Sequence, residues 1–243
     1  MPEKPQRALF ISDLHLSPSK PEVPLLFQHF LQHIAPQCSQ LFILGDFFEY
    51  WLGEDVMPPF QQDILNQLKT LGEQGISLYF IHGNRDFLLS HATLSHYHIT
   101  LLKDPTLLSI FGKRILICHG DHLCTLDHAY QRYKKVARNP IVKWLFLHLK
   151  KSTRINMAKK IHNKNPHIGK AEDRNYQLAD TTDSAIQKDI VKYKPDLIIH
   201  GHTHRMAEHQ HGTIKRIVLG DWHHTGSYLE MTPGHCDLRT FTL

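Results

Sequence analysis

Short apolar segments recur along the chain, and each of them ends abruptly in polar residues. The apolar runs are four to six residues long and rich in Ile, Leu, Phe and Tyr. Runs of this length and composition are typical of β-strands that are buried on both faces. The five segments are ALFISDLH, LFILGDFFE, LYFIHGNRD, RILICHGDH and LIIHGHTH.

Two amphipathic segments between these strands predict helices. Their apolar residues recur at spacings of three and four, which places them on one helix face. These residues are Leu26, Phe27, Phe30, Leu31 and Ile34 in the first helix and Ile64, Leu65, Leu68 and Leu71 in the second. Gly75 is expected to end the second helix. Strands that alternate with helices predict a layered α/β fold, and residues 213–243 predict short strands that close it.

One segment accounts for the entire net positive charge of the chain. Between Gln131 and Arg174 there are 13 Lys and Arg residues against two acids, a net charge of +11, whereas the full chain carries +5. This segment also holds the apolar run IVKWLFLHL, so it predicts helices that are both apolar and basic. We expect residues 131–194 to form an inserted helical cap with a return helix, on a core made of residues 1–130 and 195–243.

The cap composition is typical of a protein that binds an anionic membrane surface peripherally. Ordinary packing against the α/β body is the alternative explanation for its apolar residues. No apolar run approaches the roughly 20 residues that span a bilayer, and the segment MPEKPQRALFISD lacks the apolar stretch of a signal peptide. We therefore expect a cytoplasmic protein that associates with the inner membrane from the cytoplasmic side.

Carboxylate, amide and imidazole side chains follow each predicted strand. Loops beyond the carboxyl ends of parallel strands meet in one crevice, so these side chains are expected to converge. They are Asp13, His15, Asp46, Asn84, His119, His200 and His202. Oxygen and nitrogen donors without thiolates suit Mn²⁺, Fe²⁺ or Zn²⁺. Seven ligands are too many for one tetrahedral site and fit two metals that share a carboxylate.

The abundance of histidine limits what a single His can indicate, since the chain has 21 of them. The repetition of the pattern at five strand ends carries the prediction. His200 and His202 are two residues apart, which puts both side chains on one side of an extended backbone. His204 continues this alternation, but it lies outside the seven-ligand count, and we expect it behind the ligands or on the substrate side.

These strand-end residues also carry a resemblance. In order, the motifs D-x-H, G-D-x-x-E, G-N-R-D, H-G-D and G-H-T-H resemble the signature of the calcineurin-like metallophosphoesterases. The longer blocks FISDLHL, LGDFFEYWLGED, YFIHGNRDFLL, HGDHLCTLDHAYQ and LIIHGHTHR resemble the UDP-2,3-diacylglucosamine hydrolase family of lipid A synthesis and anchor nearly the whole chain. The resemblance implies a layered β-sandwich core flanked by helices, with a helical cap where the basic segment lies.

The resemblance also implies a ligand set for two metals, with Mn²⁺ as the expected ion. One metal would be held by Asp13, His15, Asp46 and His202. The other would be held by Asp46, Asn84, His119 and His200, so that Asp46 bridges the two ions. Asp46, Asn84, Arg85 and His119 are the expected catalytic residues.

The expected substrate contacts are a separate set. They are Asn84, Arg85, Asp127 and His200, together with Asn165, Lys170 and Arg174, which match the cap pattern of the family less well. The implied reaction is hydrolysis of the pyrophosphate bond of UDP-2,3-diacylglucosamine at the α-phosphate. Its products would be UMP and 2,3-diacylglucosamine 1-phosphate (lipid X).

Three other functions remain open at this stage. A two-metal nuclease or other phosphodiesterase could use the basic segment to hold a phosphate backbone. Aromatic stacking platforms are sparse in the cap, however, so we expect no nucleic-acid partner. A phosphoprotein phosphatase would need an open groove, and a metal-free binding scaffold would not need all seven ligand positions to be filled. The oligomeric state is left open.

Overall fold

Two β-sheets form the centre of the protein. The computed structural model describes residues 6–164 and 180–243. The first sheet has the order β11-β10-β1-β2-β3-β4 and the second the order β5-β6-β7-β9-β8. The first-sheet strands are β1 (Ala8–Ile11), β2 (Gln40–Ile43), β3 (Ser77–Phe80), β4 (Ile99–Leu101), β10 (Gly226–Thr232) and β11 (His235–Phe241). The second-sheet strands are β5 (Thr106–Ile110), β6 (Lys113–Cys118), β7 (Leu197–His200), β8 (Ala207–His211) and β9 (Ile214–Val218).

Each sheet has a parallel centre. Strands β1 to β4 run parallel, and β10 pairs antiparallel with β1. Strands β6, β7 and β9 run parallel, with β5 and β8 antiparallel at the edges. Every residue of β1 and β7 is buried, which confirms the prediction of strands that are covered on both faces. The five predicted strands are β1, β2, β3, β6 and β7.

Alternating side chains build an apolar layer on each side of each sheet. The layer between the two sheets includes the stacked rings of Phe10 and Phe42, 4.7 Å apart, and Ile117 of β6. The outer face of the first sheet packs against helices near the N-terminus. The outer face of the second sheet packs Leu116 and Cys118 against Ile186. The five predicted strands are divided between the two sheets, which confirms the layered β-sandwich core that the family resemblance implies.

Seven α-helices lie in the part of the chain that the structure describes. They are α1 (Glu22–His29), α2 (Pro59–Glu73), α3 (His91–His96), α4 (His128–Ala137), α5 (Pro140–Leu147), α6 (Lys151–Lys164) and α7 (Asp183–Tyr193). The first predicted helix is α1, which continues through a π-helical turn at Phe30–Ile34. The second is α2, which ends before Gly75 at φ 86°.

The basic segment forms helices, as predicted, over the residues that the structure describes, up to Lys164, and one buried arginine attaches them to the core. Arg154 of α6 is only 1% exposed. Its guanidinium forms an ion pair with Asp55 and donates a hydrogen bond of 2.6 Å to the carbonyl oxygen of Leu52. Gly53 lies at φ 114°, and a Cβ there would come within 2.6 Å of the Arg154 Nη1. The glycine therefore leaves the space in which the arginine fits. The assignment of residues 131–194 to a separate cap stays a prediction.

The apolar run of α5 is divided between the core and the surface. Phe146 and Leu147 pack against the apolar layer on the outer face of the first sheet. In contrast, Ile141, Trp144 and Leu145 are 69%, 58% and 54% exposed. Core packing thus explains only part of the run. Among the described residues, no helix is long and apolar enough to cross a membrane.

Candidate metal centre

The loops that follow β1, β2, β3, β6 and β7 are tied together by hydrogen bonds. Within the first sheet, the Asp13 N–H donates to the Gly45 carbonyl oxygen (3.1 Å). Within the second sheet, the Gly201 N–H donates to the carbonyl oxygen of His119 (2.9 Å). Between the sheets, the His202 N–H donates to Asp13 Oδ2 (2.9 Å). The predicted convergence of the five loops is therefore present, across two sheets.

Five site residues have a left-handed backbone that few non-glycine residues adopt. Their φ angles are 56° for Asp13, 48° for His15, 50° for Asp46, 70° for His202 and 57° for His204. Each such residue costs on the order of 1–3 kcal/mol and persists only where its surroundings impose it. The sharp turns bend the chain directly beyond the strands, and this bending brings the side chains together.

Asp13, His15 and His204 form the first group of donors. Each offers one ligand atom, and the three atoms lie within 4.8 Å of one another. The Nε2 atoms of His15 and His204 are 3.3 Å apart, and His204 Nε2 is 3.4 Å from Asp13 Oδ1. Asp46 Oδ2 lies 3.9 Å from His15 Nε2.

Asn84, His119 and His202 form the second group. Asn84 Oδ1 is 3.0 Å from His119 Nε2 and 3.0 Å from His202 Nδ1. The two histidine nitrogens are 3.2 Å apart. Asp46 Oδ1 lies 3.7 Å from His119 Nε2. Asp46 thus directs one oxygen to each group, as a bridging carboxylate requires.

The structure does not place His200 with the other predicted ligands. Its buried ring has Nδ1 2.9 Å from the Gly201 carbonyl oxygen and Nε2 2.9 Å from Arg216 Nη1. His204, which sequence reasoning left outside the ligand set, occupies a position in the first group instead. The physical reason is local: β7 ends at His200, and the positive φ angles of His202 and His204 end the two-residue alternation of an extended strand.

The charges of the first group favour a cation. Burial opposes ionisation of Asp13, but the hydrogen bond and positive charge of His204 hold the pKa of Asp13 below its usual value. Burial opposes the charged form of His204 as well, yet Asp13 and Asp221 raise the pKa of His204 to about 10. Positive charge is therefore stabilised where the carboxylates meet.

His15 and His202 contribute one neutral imidazole to each group. Burial, together with the charge of His204, holds the pKa of His15 well below its usual value. Burial and the charge of His119 lower the pKa of His202 to about 3. Both rings keep a lone pair near neutral pH, which a metal requires of a histidine ligand. For Asp46, burial comes first and the like charge of Asp13 adds to it, so the pKa of Asp46 is raised.

Two carboxylates that were not predicted as site residues hold the ligands in place. Asp86 accepts hydrogen bonds from the N–H groups of Phe47 (2.8 Å) and Gly83 (2.7 Å), and burial and Asp46 raise its pKa to about 7. Asp221 Oδ2 lies 3.3 Å from His204 Nδ1 and orients that ring. The signal for Asp221 was present, because it follows the apolar run RIVLG of β9 in the same way that Asp46 follows β2.

The structure describes only some of the residues that were predicted to contact the substrate. The Arg85 N–H donates to Asp46 Oδ1 (2.9 Å), and its partly exposed guanidinium lies 3.5 Å from Glu49. Asp127 is the N-cap residue of α4, and its side chain accepts a hydrogen bond from the Tyr130 N–H. The ring of Tyr130 lies 5.8 Å from that of His202. Asn165, Lys170 and Arg174 lie outside the described residues.

The donors fit two divalent ions. Asp13 Oδ1 is buried and lies 3.4 Å from His204 Nε2, so this carboxylate faces an imidazole with which it could share a cation. A Cβ on Gly83 would come within 2.1 Å of Asp46 Oδ1. Only a glycine at position 83 therefore leaves the Asp46 carboxylate enough space. Carboxylate, amide and imidazole donors suit Mn²⁺ and its neighbours.

Comparisons with known proteins agree with this geometry. The calcineurin-like phosphoesterase family model matches residues 6–206. UDP-2,3-diacylglucosamine hydrolase of Photorhabdus laumondii is 42% identical over 237 residues, covering 96% of this chain and 98% of that protein. The same-named protein of Histophilus somni is 40% identical over 228 residues, covering 93% and 97%.

Solved structures show the same fold at low identity. An archaeal phosphodiesterase superposes with a TM-score of 0.50 at 12% identity, covering 98% of this chain and 99% of its own. Vacuolar protein sorting 29 of Cryptosporidium parvum gives a TM-score of 0.50 at 11% identity, with 98% of each chain covered. With the site geometry and the full-length relatives, the chain belongs to the calcineurin-like phosphoesterase family and, within it, to the family of the UDP-2,3-diacylglucosamine hydrolases.

Proposed function

We propose that this protein hydrolyses the pyrophosphate bond of UDP-2,3-diacylglucosamine. Water adds to the α-phosphorus, and the bond from that phosphorus to the bridging oxygen breaks. The products are UMP and 2,3-diacylglucosamine 1-phosphate. The observation that carries this proposal is identity of about 40% to hydrolases of that name across nearly the whole chain, with a complete donor set at the strand ends.

The proposed ligand set follows the two groups of donors. Asp13, His15 and His204 would hold the first ion, and Asn84, His119 and His202 would hold the second. Asp46 would serve both ions, because its two oxygens face the two groups. Mn²⁺ is the proposed ion, since oxygen and imidazole donors without sulfur suit it. Two such ions would supply Lewis acidity toward phosphoryl oxygens and lower the pKa of a water nucleophile.

The residues at the rim would position the diphosphate. The Arg85 backbone N–H holds Asp46, and its planar guanidinium suits the oxygens of a phosphate. Asp127 fixes the first turn of α4, which presents Tyr130 beside His202. The Tyr130 hydroxyl donates a hydrogen bond of 2.6 Å to Asp121, and the Lys134 ammonium donates one of 2.7 Å to the same carboxylate. These two bonds to a buried acceptor hold α4 against the site.

The decisive experiment is product release from the proposed substrate. The purified protein is incubated with UDP-2,3-diacylglucosamine and Mn²⁺, with and without a chelator, and UMP is measured. Chelator-sensitive UMP release is expected. Absence of UMP would reject the substrate, and cleavage of single- or double-stranded DNA in a parallel reaction would favour a nuclease instead.

We further propose that the cap associates with an anionic membrane surface. The cap apolar face, made of Ile141, Val142, Trp144, Leu145 and Leu149, is exposed. The exposed side chains of Lys150, Lys151, Lys159 and Lys160 follow it directly. Apolar side chains beside basic ones bind anionic lipid, and a diacylated substrate is found at such a surface.

A further inference from the structure

A second set of metal-binding side chains lies on the outer face of the second sheet. Asp104, Cys118 and His122 each offer one ligand atom, and the three atoms lie within 4.8 Å of one another. Asp104 lies between β4 and β5, Cys118 ends β6, and His122 follows it. They therefore come from two separate loops and the end of a buried strand.

The alternation along β6 separates this set from the proposed catalytic centre. Cys118 packs with Leu116 and Ile198 on the outer face, beside Ile186 of α7. The next residue, His119, turns its Nε2 toward Asn84. The two sets share one strand end, but their side chains leave it in different directions.

The ring of His122 is oriented as a metal ligand would be. Its Nε2 is 2.7 Å from Asp189 Oδ2 on α7. Its Nδ1 is buried and has no hydrogen-bond partner in the described part of the chain. A carboxylate on one ring nitrogen fixes the tautomer and leaves the other nitrogen to coordinate, an arrangement common around zinc.

The Cys118 thiol is fully buried, and its sulfur lies within 4.8 Å of one carboxylate oxygen and one imidazole nitrogen. A divalent cation deprotonates a coordinating thiol outright, so a buried cysteine in such a set can serve as a thiolate ligand. Thiolate, imidazole and carboxylate together select Zn²⁺ over Mn²⁺ or Mg²⁺.

We propose that Asp104, Cys118 and His122 bind one Zn²⁺ ion, with Asp189 orienting His122. Three protein ligands leave a fourth tetrahedral position for water. The ion would link the β4–β5 connection to the end of β6 and, through Asp189, to α7. Helix α7 leads directly into β7, so the zinc site would fasten the segment at which the chain re-enters the second sheet.

Cobalt spectroscopy of the full-length protein tests this proposal. Co²⁺ replaces Zn²⁺ in such sites, and a thiolate ligand gives a charge-transfer band in the near ultraviolet. The proposed catalytic donors contain no sulfur, so the band reports only a cysteine-containing site. We expect the band in the wild type, with three Co²⁺ bound per chain, and its loss in Cys118→Ser with two bound.

The controls keep the test independent of folding and of the proposed hydrolase activity. Cys124→Ser changes a buried cysteine of the same loop outside the three-donor set and should keep the band. Asp189→Asn should weaken zinc binding by about 10- to 100-fold, since it changes the group that orients a ligand. A wild type without the band, a band that survives Cys118→Ser, or unchanged affinity in Asp189→Asn would each overturn the proposal, whatever the result of the UMP assay.

Discussion

At the scale of single residues, the site depends on backbone angles that the sequence does not display. Asp13, His15, Asp46, His202 and His204 are all left-handed. Their combined cost is offset by the hydrogen bonds that join the loops, such as the one from the His202 N–H to Asp13. Such concentrated strain is typical of functional sites.

The first prediction concerns His204, which lies with the metal donors, and His200, which was expected there but lies elsewhere. His204→Gln should reduce metal affinity by more than about 100-fold, because changes to groups behind a ligand already cost about 10- to 100-fold. His200→Gln should remain within about tenfold of the wild type, since its ring faces Arg216. Bound manganese per folded chain and UMP release measure both effects. Equal losses in the two variants would contradict the proposed ligand set.

Gly83 gives the second prediction. A Cβ at this position would overlap Asp46 Oδ1 and the Asp46 nitrogen at 2.1 and 2.2 Å. Gly83→Ala should therefore displace the bridging carboxylate and lower turnover by about tenfold or more, in line with overpacking costs of 1–3 kcal/mol. Gly72→Ala is the control, because its Cβ would approach nothing closer than 3.4 Å. Normal turnover in Gly83→Ala would show that Asp46 does not need this close approach.

Sequence reasoning selected, for a physical reason, most of the side chains that the structure brings together. Asp13, Asp46, Asn84 and His119 directly follow strands whose apolar runs are unmistakable, and parallel strands bring such positions together. It included His200 because the two-residue alternation was extended from β7 into a loop where φ is positive, and it left out His204 because the count of seven ligands was already complete. It missed Asp221 because residues 213–243 were interpreted only as strands that close the fold, and the polar residue beyond β9 was not counted among the donors.

At the scale of elements, Arg154 provides the third prediction. Arg154→Ala would remove the donor to the Leu52 carbonyl oxygen and the ion pair with Asp55 and leave a hole beside Gly53. We expect a loss of about 1–3 kcal/mol in the free energy of unfolding, measured with urea, since a partly buried acceptor loses its partner.

The exposed Lys151, on the same helix, is the matched control. Lys151→Ala should change the free energy of unfolding by less than about 0.5 kcal/mol, as is usual for surface substitutions. If Arg154→Ala were as mild, helix α6 would be held to the core by other contacts.

The helices themselves were predictable, but their attachment was not. Asn139 caps α5 by accepting from the N–H of Ile141, and Pro140 begins it, which are local signals in the sequence. The contact between Arg154 and Asp55 joins residues 99 positions apart. No periodicity in a sequence shows such a pair. The division of the α5 apolar run between the core and the solvent depends on the same long-range packing.

At the scale of the whole molecule, the cap apolar face gives the fourth prediction. The double variant Ile141→Gln and Leu145→Gln should bind vesicles of phosphatidylcholine and phosphatidylglycerol at least about tenfold more weakly, because two exposed apolar side chains lose their burial in lipid. Co-sedimentation measures this binding, and high salt should weaken it further. Val191→Gln, at an exposed position of α7, should bind normally. Unchanged binding of the double variant would place the membrane contact elsewhere.

The proposed metal donors come from both sheets, and this has a consequence for how long the folded protein survives. Asp13, His15, Asp46 and Asn84 follow strands of one sheet, and His119, His202 and His204 follow strands of the other. With this proposed ligand set, metal ions would bind only after the two sheets have packed, so they would stabilise the packed state alone. Free metal at 100 times its dissociation constant would add about 2.7 kcal/mol per site. Resistance to proteases should therefore rise and fall with the metal supply, so that a scarcity of metal limits the lifetime of the protein as well as its turnover.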